Sequence, residues 1–178
     1  MKKCAFICEK DGIGYFLYKP NIFRIYAKCY SRDEKPPYFS RVIHHIRMIR
    51  ELLFAHYVVI YLKKEDHIVG HLVVGRGGTR IAMSNKNDIV IGPIWIVPSE
   101  RGNGIASKAI YHVLHSLGFD YVYAYEYIDR SNIASIRTVE KNGFEFVSNC
   151  TECGVMRTIK ESDFGSTLVY RYRGKSIK

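Results

Sequence analysis

The sequence predicts a mixed α/β fold, and three features carry that prediction. Residues 120–127, DYVYAYEY, alternate in the manner of a half-buried strand. Over residues 105–117, Ile105, Ala106, Ala109, Ile110, Val113, Leu114 and Leu117 draw one apolar stripe, the mark of an amphipathic helix. A glycine-bearing loop, VPSERGNG, leads into that helix from the apolar run IVIGPIWI. Strand, loop, helix, strand, helix and strand therefore follow one another through the centre of the chain, the order of a layered α/β architecture.

The elements can be justified in order. KCAFICE reads as a first strand, and GYFLYKPNIFRIYAKCY is aromatic-rich and broken at Pro20. The polar stretch SRDEKPPY reads as a loop. Over residues 40–55, Val42, Ile46, Ile49 and Leu53 recur at helical spacing, with His44, Arg47 and Arg50 on the other face. In HYVVIYLKKEDHIVGHLVVG two β-rich runs flank Lys64-Glu65-Asp66 and predict a hairpin. RGGTRIAMSNKND reads as a long polar loop. Gly92-Pro93, inside the apolar run that follows, predicts an edge, a bulge or a splay at that point. Gly118 is placed to end the first long helix. Tyr121, Tyr123, Tyr125 and Tyr127 fall on one face of the next strand. Asn132 is placed to cap a helix that closes at Gly143, and FEFVS and TLVYRYR supply two last strands.

A length of 178 residues with 47% hydrophobic and 25% charged residues fits a single domain, 1–178, with a sizeable core. No apolar run approaches the roughly 20 residues of a membrane span, and the start MKKCAFICEKDG turns polar too soon for a secretory signal. A soluble, unprocessed, cytoplasmic protein with no membrane partner is expected. Five cysteines, an odd number thinly spread, argue against a disulfide framework. Cys150 and Cys153 form a CxxC with no second ligand pair, and His67 and His71 on one strand stand about 13 Å apart, so no metal is expected. The net charge of +10 suggests an anionic partner without naming it, and nucleic acid, a membrane surface, a phosphorylated cofactor or a merely solvated surface would all fit. Arg171, Arg173, Lys175 and Lys178 of the terminal RYRGKSIK contribute to it. No motif for specific nucleic-acid recognition accompanies it, so no such partner is expected.

The loop Arg101-Gly102-Asn103-Gly104 has a physical use. A helix start offers unpaired N–H donors and the positive end of its dipole, glycines let a ligand approach the backbone, and Arg101 adds a cation. Such a place suits a pyrophosphate, although the spacing is neither that of a P-loop nor of a dinucleotide fingerprint. A second segment, NIASIRTVEKNGF at residues 132–144, lies about thirty residues on. Together the two segments resemble the GNAT superfamily of acyl-CoA-dependent N-acyltransferases. The family motif Gln/Arg-x-x-Gly-x-Gly/Ala stands here as Arg101, Gly104 and Ala106, after the lead-in Ile96-Val97-Pro98. The later motif stands as Asn132, Glu140, Lys141, Gly143 and Phe144. Motifs and element order agree with the family over about 57–150.

The resemblance implies a central mixed, mostly antiparallel sheet, splayed between two strands and flanked by helices. It implies an acceptor-side part at about 1–56, a cofactor core at about 57–150 and C-terminal strands at 144–173. It implies acetyl-CoA as co-substrate, its pyrophosphate on Arg101, Gly102, Asn103, Gly104, Ile105, Ala106 and Ser107. The pantetheine arm would lie along Ile94, Trp95 and Ile96 as an added strand, with Asn132 against it. Direct transfer to an amine would then need a base, an acid for the leaving thiolate, and a backbone N–H for the carbonyl oxygen. Many family members carry a tyrosine just before the Glu of E-K-x-G-F, but Val139 stands there. The wording is similar to the ribosomal-protein acetyltransferase branch, in which Ser135 would be the acid. Tyr127 and Glu126, at the end of the strand facing the splay, are the other catalytic candidates, and parity turns only one of them toward substrate. Helix packing is the alternative role for Ser135, as core packing is for the tyrosines of that strand. His112 and His115 read as solvated helix residues. His71 is a candidate for the acceptor pocket, and Trp95 for shielding the thioester or for the core.

The acceptor walls expected are residues 30–55, 76–87 and 150–166, carrying Arg32, Arg41, His44, His45, Arg47, Arg76 and Arg80. A small-molecule amine is the expected partner, an amino sugar or a nucleotide-linked amino sugar, with a weak likeness to acetyltransferases of bacterial surface-polysaccharide synthesis. A protein N-terminal or lysine acceptor is the rival enzymatic reading. A non-catalytic acyl-CoA sensor is the rival outside enzymes. Either a monomer or a homodimer is compatible with the sequence.

Overall fold

The structure, a computed structural model, describes residues 4–21, 23 and 46–174. The strands in chain order are β1 (Ala5–Lys10), β2 (Ile13–Tyr18), β3 (Val58–Lys64), β4 (His67–Arg76), β5 (Ile89–Ile96), β6 (Tyr123–Asp129), β7 (Glu145–Cys153), β8 (Thr158–Glu161) and β9 (Thr167–Arg173). They form one sheet in the order β1-β2-β3-β4-β5-β6-β9-β7-β8. Every pairing is antiparallel except β5 with β6. Helix α1 (Ile105–His115) supplies the crossover that a parallel neighbour requires. Helix α2 (Ile133–Lys141) follows β6.

Local chemistry explains the boundaries. Glu65, at φ 52°, turns the β3–β4 hairpin where Lys64-Glu65-Asp66 predicts it. Asn132 caps α2, its side chain accepting a bond from the Ser135 N–H, and Gly143 leaves that helix at φ 80°. Within residues 40–55 the helix is described from residue 46 and ends in a π-helical turn, Glu51–Ala55, before His56 breaks it at φ 46°. Residues 40–45, with Arg41, His44 and His45, lie outside the described residues, as does Arg32.

The main core lies between the sheet and the two helices. Ile60, Leu62, Leu72 and Ile91 meet Ala109, Ile110 and Val113 of α1 and Val139 of α2 there. Burying each of the valine, leucine and isoleucine side chains contributes about 1.5–3 kcal/mol relative to exposure. On the opposite face, Val90, Tyr125, Cys150, Ile159 and Val169 form a second cluster.

Several expectations are corrected by this packing. Tyr121 precedes β6 and packs with the helix-side core, its hydroxyl donating to the Leu114 carbonyl, while Tyr123, Tyr125 and Tyr127 pack on the other face. His112 is buried against the Tyr15 ring because Tyr15 of β2 reaches across to α1, whereas His115 is exposed. The strand of FEFVS runs on to Cys153, and Thr158–Glu161 adds a further strand between it and TLVYRYR in the chain. No helix among the described residues is long and apolar enough to cross a membrane.

Candidate active site

The site begins where two strands part. β5 and β6 pair only at Ile89 with Ala124 and Val90 with Tyr125. Beyond that point β5 stays on β4, through a register shift between Leu72 and Val74, and its other edge opens away from β6. Gly92, at φ 124°, sits at the divergence, as the Gly-Pro pair predicts. Along residues 91–96 the edge turned toward β6 has no strand partner among the described residues. A groove of about 930 Å³ fills the opening, bordered by Ile94, Trp95 and Ile96, by the start of α1, and by α2.

The glycine loop closes one end. After a 3-10 turn at Pro98–Glu100, Gly102 and Gly104 take positive φ of 83° and 72°. Gly104 is the N-cap of α1 and brings no side-chain acceptor. Among the described residues no acceptor takes the N–H groups of Ile105, Ala106 and Ser107, and a Cβ on Gly104 would meet nothing within 4 Å. The helix start is thus bare and open, the condition for holding an anion. Arg101 folds back so that its Nε donates to the Ile96 carbonyl at 3.0 Å. Ser107 Oγ accepts from Asn142 Nδ2 at 2.9 Å. Arg101, Gly102, Gly104, Ile105, Ala106, Ser107 and Asn132 all border the groove. Asn103 does not, its amide lying 3.4 Å from Glu100 Oε2 instead.

The catalytic candidates converge on the same groove. Ser135 borders it, its N–H 3.2 Å from Asn132 Oδ1. Val139 also borders it, with its side chain in the core and no hydroxyl to offer. Glu126 is buried on the helix side of β6, and burial pushes its carboxyl up to about 8. Glu126 Oε1 has no hydrogen-bond partner among the described residues. Tyr127 is half-buried on the opposite side of the strand. Trp95 borders the groove half-buried and stacks on His71 at 5.8 Å. His71 is buried and kept neutral, burial lowering it to about 4, and it does not border the groove.

Two cations on α2 border the groove: Lys141, which belongs to the later motif, and Arg137, which no motif marks. They face the same opening because Ala134, Arg137, Thr138 and Lys141 recur at helical spacing. That stripe was the signal available in the sequence.

A second cavity, about 240 Å³, lies on the other side of the splay and shares Gly92, Pro93 and Tyr127 with the groove. Arg47, Arg76, Arg80 and Arg157 border it, so three of the arginines expected on the acceptor side do come together, while His71 is not among its bordering residues. The Arg80 guanidinium lies 5.0 Å from the centre of the Tyr127 ring.

The profile of the Acetyltransferase (GNAT) family matches residues 19–144. The chain belongs to the GNAT acetyltransferase family. No curated protein sequence matches it. Solved structures agree on the fold. One is an acetyltransferase from Thermus thermophilus, at 13% identity and TM-score 0.55 over 79% of this chain and 78% of that one. The Microcin C7 self immunity acetyltransferase MccE, in complex with acetyl-CoA and AMP, matches at 16% identity and TM-score 0.56 over 92% of this chain and 93% of that one. The IAA acetyltransferase from Bacillus cereus ATCC 14579 matches at 14% identity and TM-score 0.54 over 73% of this chain and 82% of that one. These likenesses bear on the fold of this GNAT acetyltransferase.

Proposed function

We propose that this acetyltransferase moves the acetyl group of acetyl-CoA directly to the primary amine of a small molecule. The observation that carries the reading is the open edge of β5, residues 91–96, running into a bare helix start at Gly104. The open edge offers backbone donors and acceptors to an amide-bearing arm, and the helix start offers N–H groups to a pyrophosphate. Arg101, Arg137 and Lys141 add positive charge along the groove. When bound, acetyl-CoA supplies an activated acetyl thioester.

The net reaction forms an N–C bond, breaks the C–S bond and transfers one proton from the amine nitrogen to sulfur. An N–H on the free edge of β5 is available to the thioester oxygen as charge builds on it. Glu126 holds its proton at neutral pH and borders the groove, so it is assigned as the acid for the thiolate. Ser135 is the alternative donor. Tyr127, shared by both cavities, borders the path between donor and acceptor. Asn132 is engaged in capping α2 and acts on the arm only through its remaining amide hydrogens.

The side cavity is read as the acceptor site, and its arginines favour a phosphorylated amine, such as a nucleotide-linked amino sugar, over an amine without an anionic group. On this reading the enzyme works in the cytoplasm. The test is release of thiol from acetyl-CoA against a panel of amines. Turnover of amino sugars and not of peptides is the expected result. Turnover of peptides alone would move the acceptor to a protein amine. Binding of acetyl-CoA without thiol release from any amine would identify a sensor.

A further inference from the structure

We propose that the acceptor carries an oxyanion, a carboxylate or a phosphate, seated between Arg47 and the Arg80–Arg157 pair with its amine toward Tyr127. The proposal rests on the transfer reading above and specifies how its acceptor is recognised. Four guanidiniums border the cavity, whereas Glu51 is its one bordering carboxylate among the described residues. Glu51 is already engaged, with Thr79 Oγ1 donating to it at 2.9 Å and Arg50 Nη1 lying 3.7 Å away. Glu152, just behind the wall, serves two cations, bonding Arg80 Nη2 at 2.9 Å and Arg157 Nε. One carboxylate for two guanidiniums leaves positive charge over.

The fate of each arginine narrows the seat. Arg76 donates to the Asp120 carbonyl at 2.6 Å, and Arg80 turns its other terminal nitrogen to the carbonyls of Met156 and Arg157. Arg47 donates only its Nε, to the Val155 carbonyl at 2.9 Å. Both of its terminal nitrogens lack a protein acceptor among the described residues. Burial first, then the charges of Arg157 and Arg80, lower the Arg47 pKa, and the opposing charge of Glu152 does not cancel them. A planar guanidinium with both terminal nitrogens available suits bidentate capture of an oxyanion. Met48, Tyr57, Val73 and Val90 line the rest of the cavity and suit a short carbon frame. The wall shared with the groove, at Gly92, Pro93 and Tyr127, is where such a frame would present its amine to the thioester.

Calorimetric binding in the presence of CoA tests this with two pairs of probes: glucosamine 6-phosphate against glucosamine, and serine against serinamide. At least one oxyanion-bearing probe is expected to bind about tenfold or more tightly than its partner without the oxyanion, the size of one charge-assisted contact. The pair that shows the preference tells phosphate from carboxylate. Arg47→Gln is expected to erase the preference and Arg47→Lys to restore part of it. Arg157→Gln carries the same test if Arg47→Gln does not fold. Equal affinities within both pairs, or a preference that survives both Gln variants, would overturn the proposal. The acetyl-CoA melting shift is read on the same samples. Its absence would count against the transfer reading, whereas a normal shift with no charge preference would count against the oxyanion seat alone.

Discussion

Glu126 and Tyr127, neighbours in β6, both border the large groove, and Tyr127 alone of the two reaches a second, arginine-lined cavity. The alternation of a strand produces this division, because successive side chains leave opposite faces. Where β5 has parted from β6, both faces open onto the same reaction path.

The first expected outcome concerns proton supply. If Glu126 gives its proton to the leaving thiolate, kcat falls as pH rises through about 8, the value to which burial lifts it. Glu126→Gln should lower kcat by about 100-fold or more, within the usual range for loss of a general acid. The alkaline limb of the pH profile should vanish with it, and the acetyl-CoA melting shift should remain. Ser135→Ala run beside it separates the candidates: a loss confined to Ser135→Ala would transfer the role to that hydroxyl.

The same carboxyl affects stability, with a definite sign. Its folded value, about 8, lies above the ordinary 4.5. Between those values the unfolded chain releases the proton and the folded chain keeps it, so folding stability falls as pH rises across that window. Below about 4.5 both states hold the proton and the penalty is absent. Glu126→Gln removes the titration, so thermal melts at pH 7–8 should show a gain of at least about 1 kcal/mol, roughly 2–4 °C at this length. The gain should shrink toward the acid end of the window. An unchanged slope of Tm against pH would contradict the burial of this carboxyl.

Gly104 tests the anion site. Its positive φ and the open space at its Cβ position leave only backbone at the helix start. Gly104→Glu adds bulk and a negative charge where the pyrophosphate is assigned. The melting shift produced by millimolar acetyl-CoA should disappear. Gly104→Ala, strained by about 1–2 kcal/mol through its left-handed backbone, should melt lower yet keep the shift.

The groove was legible in the sequence because its parts are local. A glycine loop ahead of an apolar stripe, a Gly-Pro break in a strand and an Asn before a helix each act within a few residues. Glu126 was legible as a candidate, but its raised pKa was not, since burial of that carboxyl depends on the helices packed over β6. Tyr121 departs from the face its alternation predicts because it lies two residues ahead of the strand, and its hydroxyl donates to the Leu114 carbonyl of α1. His112 read as solvated because no local pattern announces Tyr15 reaching α1 from β2. The second cavity gathers Arg47, Arg76 and Arg80 from segments the sequence reading groups as acceptor walls, whereas Arg157, in the third of those segments, is brought in by the folded sheet with no sequence signal to mark it.

Asp88 offers a test of how the splay is held in place. It is fully buried just before β5, with Oδ2 accepting from the Asn85 N–H at 2.9 Å and Oδ1 accepting from the Tyr123 N–H at 3.1 Å. Its carboxylate thereby ties the loop ahead of β5 to the first residue of β6, beside the rungs that join the two strands. Asp88→Ala leaves two N–H groups without that acceptor and should cost about 2–4 kcal/mol. Asp88→Asn keeps one acceptor oxygen and should cost roughly half as much. Because the parting of β5 and β6 starts from those rungs, Asp88→Ala should also raise the KM for acetyl-CoA, even though Asp88 borders neither cavity. Chemical denaturation and steady-state kinetics on the same preparations check both effects. A stability loss with an unchanged KM would mean that the rungs alone hold the splay.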